Sequence, residues 1–489
     1  MILSLVLLPM LAGTIAFVLR AHRPRRALLL AAAAGHTALT AATWVHDPTP
    51  VGGGWLALDA VGRLVLSITT VLFLACAVYA AGYLRREGEE THRDFGEGLL
   101  FDNAPEATFT ACLLLFLASM TLVSVSQRFG LLWVAIEATT LASAPLIYFH
   151  RHHRSLEATW KYLLICSVGI AMALLGNFFL AVAAERPDGP PIPLLVHDLV
   201  GAAASLDPTW LRAALILFLV GYGTKMGLAP LHTWLPDAHS EAPSVVSALL
   251  SGALLNCAFL GILRAQQVCA AAGIAEFGRQ LLVGFGILSM LVAAVFIAGQ
   301  RDYKRMLAYS SVEHMGILAL GVGIGGAATF GALLHAIGHS LTKAMMFLVA
   351  GNILAEYRSK STAEVRGVLQ VLPASGSLWM LGLFAICGSP PFGPFLSELT
   401  ILRAALDQGH PWIAGAFLAL LAVIFVGMAT IVLGMAQGDP LGATPRARRR
   451  ESAWAIVPAA FFAAGVLGLG LYVPPPLRAA LEHAAEILG

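Results

Sequence analysis

The sequence predicts an all-α, polytopic membrane protein of about fourteen transmembrane helices, and three observations carry this: composition, the length of the apolar runs and the placement of basic residues. Of 489 residues, 58% are hydrophobic and 12% charged, with a mean hydropathy of +0.79. No water-soluble core needs that much apolar surface. Fourteen apolar stretches are long enough for a helix of about 20 residues to cross a bilayer. They cover 2–19, 27–45, 58–84, 107–125, 129–149, 161–184, 210–230, 243–263, 280–299, 306–326, 328–354, 372–406, 412–436 and 453–473.

The first span has its positive charges after it and no A-x-A-type site, so it reads as a retained helix and not a cleaved signal peptide. The odd-numbered connections hold 20 of the 30 Lys and Arg residues, among them Arg20, Arg23, Arg25 and Arg26, then Arg85, Arg86 and Arg93, then Arg151, Arg154 and Lys161. The pattern resumes with Arg301, Lys304 and Arg305, with Arg358, Lys360 and Arg366, and with Arg446, Arg448, Arg449 and Arg450. Basic residues mark the cytoplasmic side, so both termini are expected outside.

The connections 85–106, 185–209 and 437–452 are too short to fold alone, and none holds a G-x-x-x-x-G-K-[ST] loop, which argues against ATP-driven transport by this chain itself. No nucleic-acid partner is expected. Cys76, Cys112, Cys166, Cys257, Cys269 and Cys387 show no C-x-x-C spacing and read as buried thiols, so no cofactor is expected.

Function then rests on ionisable residues at membrane depth, which are costly there and mark function by default. Lys225 lies in the apolar run GYGTKMGLAP of span seven, five residues before Pro230. A helix broken at that depth persists only where it is packed in protein or lines a wet cavity. Glu137 is centred in span five and is expected to form a switchable pair with Lys225. His335, His339 and Lys343 follow at i, i+4 and i+8 in span eleven and share one helix face, a plausible proton wire.

Glu398 follows a second broken segment, GSPPFGPFLSE, in span twelve. Interrupted spans seven and twelve, five apart, point to two inverted five-helix repeats. The expected organisation is 1–106 (helices 1–3), 107–263 (first repeat, helices 4–8), 264–436 (second repeat, helices 9–13) and 437–489 (helix 14). In this register Lys225 corresponds in position to Glu398, and Glu137 roughly to Glu313.

Two clusters invite a metal assignment. His150, His152 and His153 with Arg151 and Arg154 read as a basic flank at a helix end. His232, Asp237, His239 and Glu241 match no common ligand spacing and read as a proton entrance, so no metal site is expected.

At these residues the chain resembles the antiporter-like membrane subunits shared by respiratory complex I, Mrp-type cation/proton antiporters and membrane-bound hydrogenases. The resemblance covers roughly spans 3–13 and is most specific over KMGLAPLHTWLPDAHSEAPSVVSALLS (225–251), with further similarity in DYKRMLAYSSVEHMG and GSPPFGPFLSE. It implies proton translocation in which Glu137 and Lys225 form the key pair, Lys343 with His335 and His339 the central link, and Glu398 the terminal carboxylate. Many members carry a lysine where this chain has Asn256, so the link between halves would fall to water or to His232.

Within the family the VEHMG and SPPFG variants look closest to the hydrogenase-4 or formate hydrogenlyase component F type. No long lateral helix follows span fourteen, which argues against the distal complex I subunit. The resemblance implies a redox-free pumping subunit of the bacterial inner membrane. Its partners would be other antiporter-like and small membrane subunits and peripheral iron–sulfur, hydrogenase or quinone-reductase-type subunits. A Na⁺/H⁺ antiporter module of Mrp type and a subunit of an inorganic-carbon uptake system are the alternatives.

Overall fold

The computed structural model describes residues 1–87, 92, 93, 98, 100–186, 189–439 and 451–488. Its helices are α1 (Ile2–Val18), α2 (His22–Ala42), α3 (Ala60–Glu87), α4 (Glu106–Val125), α5 (Phe129–Ile147), α6 (His153–Ala183), α7 (Val196–Gly201), α8 (Pro208–Met226), α9 (Trp234–Glu241) and α10 (Ser244–Leu249). They continue with α11 (Leu255–Ala271), α12 (Ala275–Ile297), α13 (Tyr303–Ile324), α14 (Ala327–Tyr357), α15 (Val368–Val371), α16 (Pro373–Ile386), α17 (Gly393–Asp407), α18 (Pro411–Ala436), α19 (Ala453–Leu471) and α20 (Pro475–Leu488). A two-residue ladder pairs β1 (His92–Arg93) with β2 (Leu100–Phe101), His92 opposite Phe101.

Among the described residues, ten helical stretches are long and apolar enough to cross a membrane: α3, α4, α5, α6, the run from α10 through α11, α12, α13, α14, α18 and α19. The other four expected spans have physical reasons to fall short of that measure. The helix α1 is apolar but only 17 residues long, and α2 opens on His22, Arg23, Arg25 and Arg26. Span twelve is two helices, α16 and α17, and span seven is α8, which holds the charged Arg212 and Lys225 and breaks before α9. The helix α20 lies beyond the expected spans; it buries Leu481, Ala484 and Leu488 against α3, α11 and α14 and turns Arg478 and Glu482 outward.

Sequence-local signals start several of these helices. Asp207 accepts from Thr209 N and Trp210 N ahead of α8, and Asp302 accepts from Lys304 N and Arg305 N ahead of α13, satisfying amides that a helix start leaves free. Gly227 ends α8 in the left-handed region at φ 84°.

The basic connections meet at one end of the bundle. Arg26 bonds Leu84 O and Glu106, Asn103 bonds His150, Glu241 pairs with Lys360, Thr362 N donates to Arg301 O, and Gly367 N donates to Gln437 O. The other ends meet opposite: Gln127 N donates to Trp55 O, Phe129 N to Leu194 O, and the Gln408 amide to Gly325 O. The alternation read from charge is therefore the alternation of the fold; Arg446, Arg448, Arg449 and Arg450 lie outside the described residues. Around the periphery, α6, α12 and α18 expose Trp160, Leu164, Val168, Val295 and Val426, as a lipid-facing surface requires. The run through α10 and α11, with α13 and α14, is almost wholly buried, and these helices carry Asn256, Glu313, His314, His335, His339 and Lys343.

Candidate proton-translocation site

Lys225 lies in the last turn of α8 inside the bundle, fully buried, because the close approach of α6, with α5 beside it, places its ammonium among hydroxyls of both. That approach needs small residues: a Cβ on Gly221 would lie 2.7 Å from Gly169 O. Lys225 Nζ donates to Thr140 Oγ1 at 2.8 Å and to the Tyr162 hydroxyl at 2.6 Å, and lies 4.5 Å from the Tyr162 ring centre. Thr140 donates in turn to Glu137 Oε2 at 3.1 Å, and Ser167 donates to Glu137 Oε1 at 3.1 Å. Tyr162 is also hydrogen-bonded to Ser143 at 2.7 Å. Glu137 and Lys225, expected as a switchable pair, thus belong to one network in which Thr140 stands between them. Glu137 is only half-buried, and Ser167 is exposed.

The second group lies on α13, α14 and α17. His314 Nδ1 and His335 Nε2 are 2.8 Å apart, and His335 Nδ1 is 2.8 Å from Ser397 Oγ. The His339 ring lies 4.8 Å from that of His314. Lys343 Nζ donates to Leu307 O at 2.6 Å. Glu313, His314, His335, His339, Lys343 and Glu398 are all buried, so the i, i+4, i+8 face of α14 does turn inward. Glu398 sits against the turn between α16 and α17, where Gly388 holds φ 59° and a Cβ would strike its carboxylate.

The two breaks do not carry their charges alike. Lys225 precedes the glycine of its break, on the incoming half-helix α8, whereas Glu398 follows the glycine of its own, on the outgoing half-helix α17. The expected positional match of Lys225 with Glu398 therefore gives way to an asymmetric arrangement.

Between the groups, residues 250–254 widen into a π-helical turn that joins α10 to α11, a distortion frequent at functional sites. Ser251 bonds Ser311 at 2.8 Å, and the Asn256 amide donates to Ser340 Oγ at 2.8 Å, next to His339. Asn256 is thus the direct polar contact between α11 and α14. His232 sits instead at the α8–α9 turn, its ring 6.2 Å from that of Tyr309. Of its neighbours in sequence, Asp237 pairs with Lys161 and Arg305, and Glu241 with Lys360, all at the basic end. His239 is buried with neither ring nitrogen hydrogen-bonded and stacks 5.1 Å from Phe347.

Sequence reasoning passed over several participants. Thr140, Tyr162, Ser340 and Ser397 are hydroxyls of a kind abundant in apolar helices, and only packing singles them out. Lys304, assigned to a basic connection, is buried and donates to Ser240 O and Ala242 O. Arg264 is 1% exposed near the opposite end, bonded to Ser124 O at 3.3 Å and to Asp59 at 3.4 Å, with Nε and Nη1 unpartnered. An arginine directly after span eight, in an otherwise apolar stretch, was legible as a signal of the same kind as Lys225.

A multi-pass membrane protein whose ionisable residues run through its buried centre, flanked by two broken helices, belongs to the class of ion-translocating membrane subunits. The chain belongs to the NADH:quinone oxidoreductase/Mrp antiporter transmembrane family, which matches residues 126–424. It is 35% identical over 442 residues to the hydrogenase-4 component F homolog of Methylacidiphilum infernorum, covering 89% of each chain. Its fold matches a chain of the archaeal membrane-bound sulfane sulfur reductase with a TM-score of 0.87 at 21% identity, covering 100% of this chain and 97% of that one. A chain of the Mrp complex from Dietzia sp. DQ12-45-1b matches with a TM-score of 0.85 at 21% identity, covering 99% and 97%.

Proposed function

We propose that this chain translocates protons as a redox-free, antiporter-like subunit of a multi-subunit membrane oxidoreductase of the hydrogenase-4 type, in the bacterial inner membrane with both termini outside. The observation that carries the reading is the buried hydroxyl bridge from Lys225 through Thr140 to Glu137. A hydroxyl accepts one hydrogen bond while donating another, so the bridge can hand a proton from the ammonium towards the carboxylate and reset by rotation.

The second group supplies the continuation. Imidazoles exchange protons through either nitrogen, and Ser397, His335, His314 and His339 are stacked in sequence along it. Asn256 with Ser340, and Ser251 with Ser311, tie α11 and the π-helical turn to α14 and α13, between the two groups. Residues 107–263 and 264–436 act as the two half-units. Lys161, Asp237, Arg305, Glu241 and Lys360, with His232 and His239, form the entrance side.

Partner subunits follow from the edge on which Glu137 lies. A half-buried carboxylate beside an exposed Ser167, among Trp160, Leu164 and Val168, is costly against lipid. A neighbouring membrane subunit covering that edge removes the cost, and the redox centres that drive transport belong to peripheral partners.

The test is pH-gradient formation by the complex with its native partners in sealed vesicles, during electron flow and with or without Na⁺. Acidification that needs electron flow, ignores Na⁺ and is lost in Lys225→Ala with assembly intact is the expected result. Proton exchange driven by a Na⁺ gradient alone would make the chain an Mrp-type antiporter module instead, a reading the same family includes.

A further inference from the structure

The second polar group also holds a set of metal-ligand atoms. His314 on α13, His335 on α14 and Glu398 on α17 each offer one ligand atom, and these lie within 4.8 Å of one another. All three residues are buried, and both His314 Nε2 and Glu398 Oε1 lack any hydrogen-bond partner. A buried polar atom left unpaired is costly, so the orphaned Glu398 Oε1 beside the paired His314 Nδ1 and His335 Nε2 points to something that coordinates there. We propose that His314, His335 and Glu398 form a binding site for a divalent transition-metal ion of the zinc or copper class, and that its occupation arrests proton passage through the second half of the subunit.

Two imidazoles and a carboxylate are the three-ligand set of zinc sites that keep a fourth position for water. Imidazole nitrogen favours this class over Mg²⁺ or Ca²⁺, which take oxygen ligands. Two carboxylates, Glu398 and its neighbour Glu313, whose Oε2 is also unpartnered, face this cluster beside one ammonium, Lys343, so a net negative charge remains for a dication to offset. The rings are already held: His335 Nδ1 is 2.8 Å from Ser397 Oγ, which leaves Nε2 facing His314. Bonds of about 2.1 Å in a tetrahedral site put ligand atoms about 3.4 Å apart. Binding therefore opens the 2.8 Å contact between His314 and His335 by roughly half an ångström and draws the carboxylate inward.

A metal on both imidazoles occupies the lone pairs that a relayed proton needs. This blocking effect rests on the proton-transfer reading above, whereas the binding itself does not.

The experiment is titration of the metal-stripped full chain in detergent with Co²⁺, read by visible ligand-field absorption. One equivalent is expected to give an intense four- or five-coordinate spectrum, displaced by Zn²⁺. His335→Gln and Glu398→Gln should abolish it, each checked for monodispersity and helix content, while Lys225→Ala should retain it. No spectrum beyond that of aqueous Co²⁺, or an unchanged spectrum in both variants, overturns the site. In vesicles holding the complex, Zn²⁺ should stop acidification and EDTA restore it. Binding without arrest would overturn the blocking role and leave the site standing.

Discussion

Lys225 and Glu137 are joined through one hydroxyl: Thr140 accepts from the ammonium at 2.8 Å and donates to the carboxylate at 3.1 Å. A direct ion pair in a low-dielectric interior locks its partners, because separating them leaves two buried charges. A bridged pair keeps the charges coupled while leaving a group between them that can turn.

Thr140→Val keeps the shape and removes the bridge. Loss of a hydrogen bond to a charged group is worth about 1.5–3 kcal/mol, which predicts a roughly ten- to hundredfold slower proton transfer. Thr140→Ser should retain most of the rate. Initial acidification rates in reconstituted vesicles decide between these outcomes, and equal rates in both variants would remove Thr140 from the path.

Asn256 holds α11 to α14 where many family members have lysine. Asn256→Leu leaves Ser340 without its donor, and proton transfer should fall while thermal stability in detergent changes by no more than about 1–2 kcal/mol. A fall in stability with transport intact would make the residue purely structural.

Gly388 combines φ 59° with contact against the Glu398 carboxylate. Gly388→Ala should destabilise the chain by about 1–3 kcal/mol through the backbone alone and also displace Glu398. Gly284→Ala, on a helix with nothing within 4 Å of its Cβ, should be neutral or stabilising by up to about 1 kcal/mol. Thermal denaturation of the two variants in the same detergent gives the comparison.

Arg264 is buried, while its counter-charge Asp59 keeps 26% of its side chain exposed at 3.4 Å. Asp59→Asn strands the guanidinium and should lower stability by about 1–3 kcal/mol, less than a fully buried pair would lose. Adding Arg264→Leu to Asp59→Asn should recover part of that loss, which a double-mutant cycle on thermal stability measures.

The spans, their alternation and the residues Glu137, Lys225, His335, His339, Lys343 and Glu398 were legible from sequence alone, for one physical reason. Lipid makes every polar side chain and every helix break expensive, so those that remain stand out against an apolar background. Tertiary structure decided what those residues touch. Packing of α6 against α8 placed Tyr162 on Lys225 and α5 beside α6 placed Thr140 there, the π-helical turn led into the Asn256 contact with Ser340, and the two breaks put Lys225 before its glycine and Glu398 after its own. Hydroxyls are cheap enough in a helix, where they bond their own backbone, to leave no mark in the sequence; only the approach of a second helix turns one of them into a bridge.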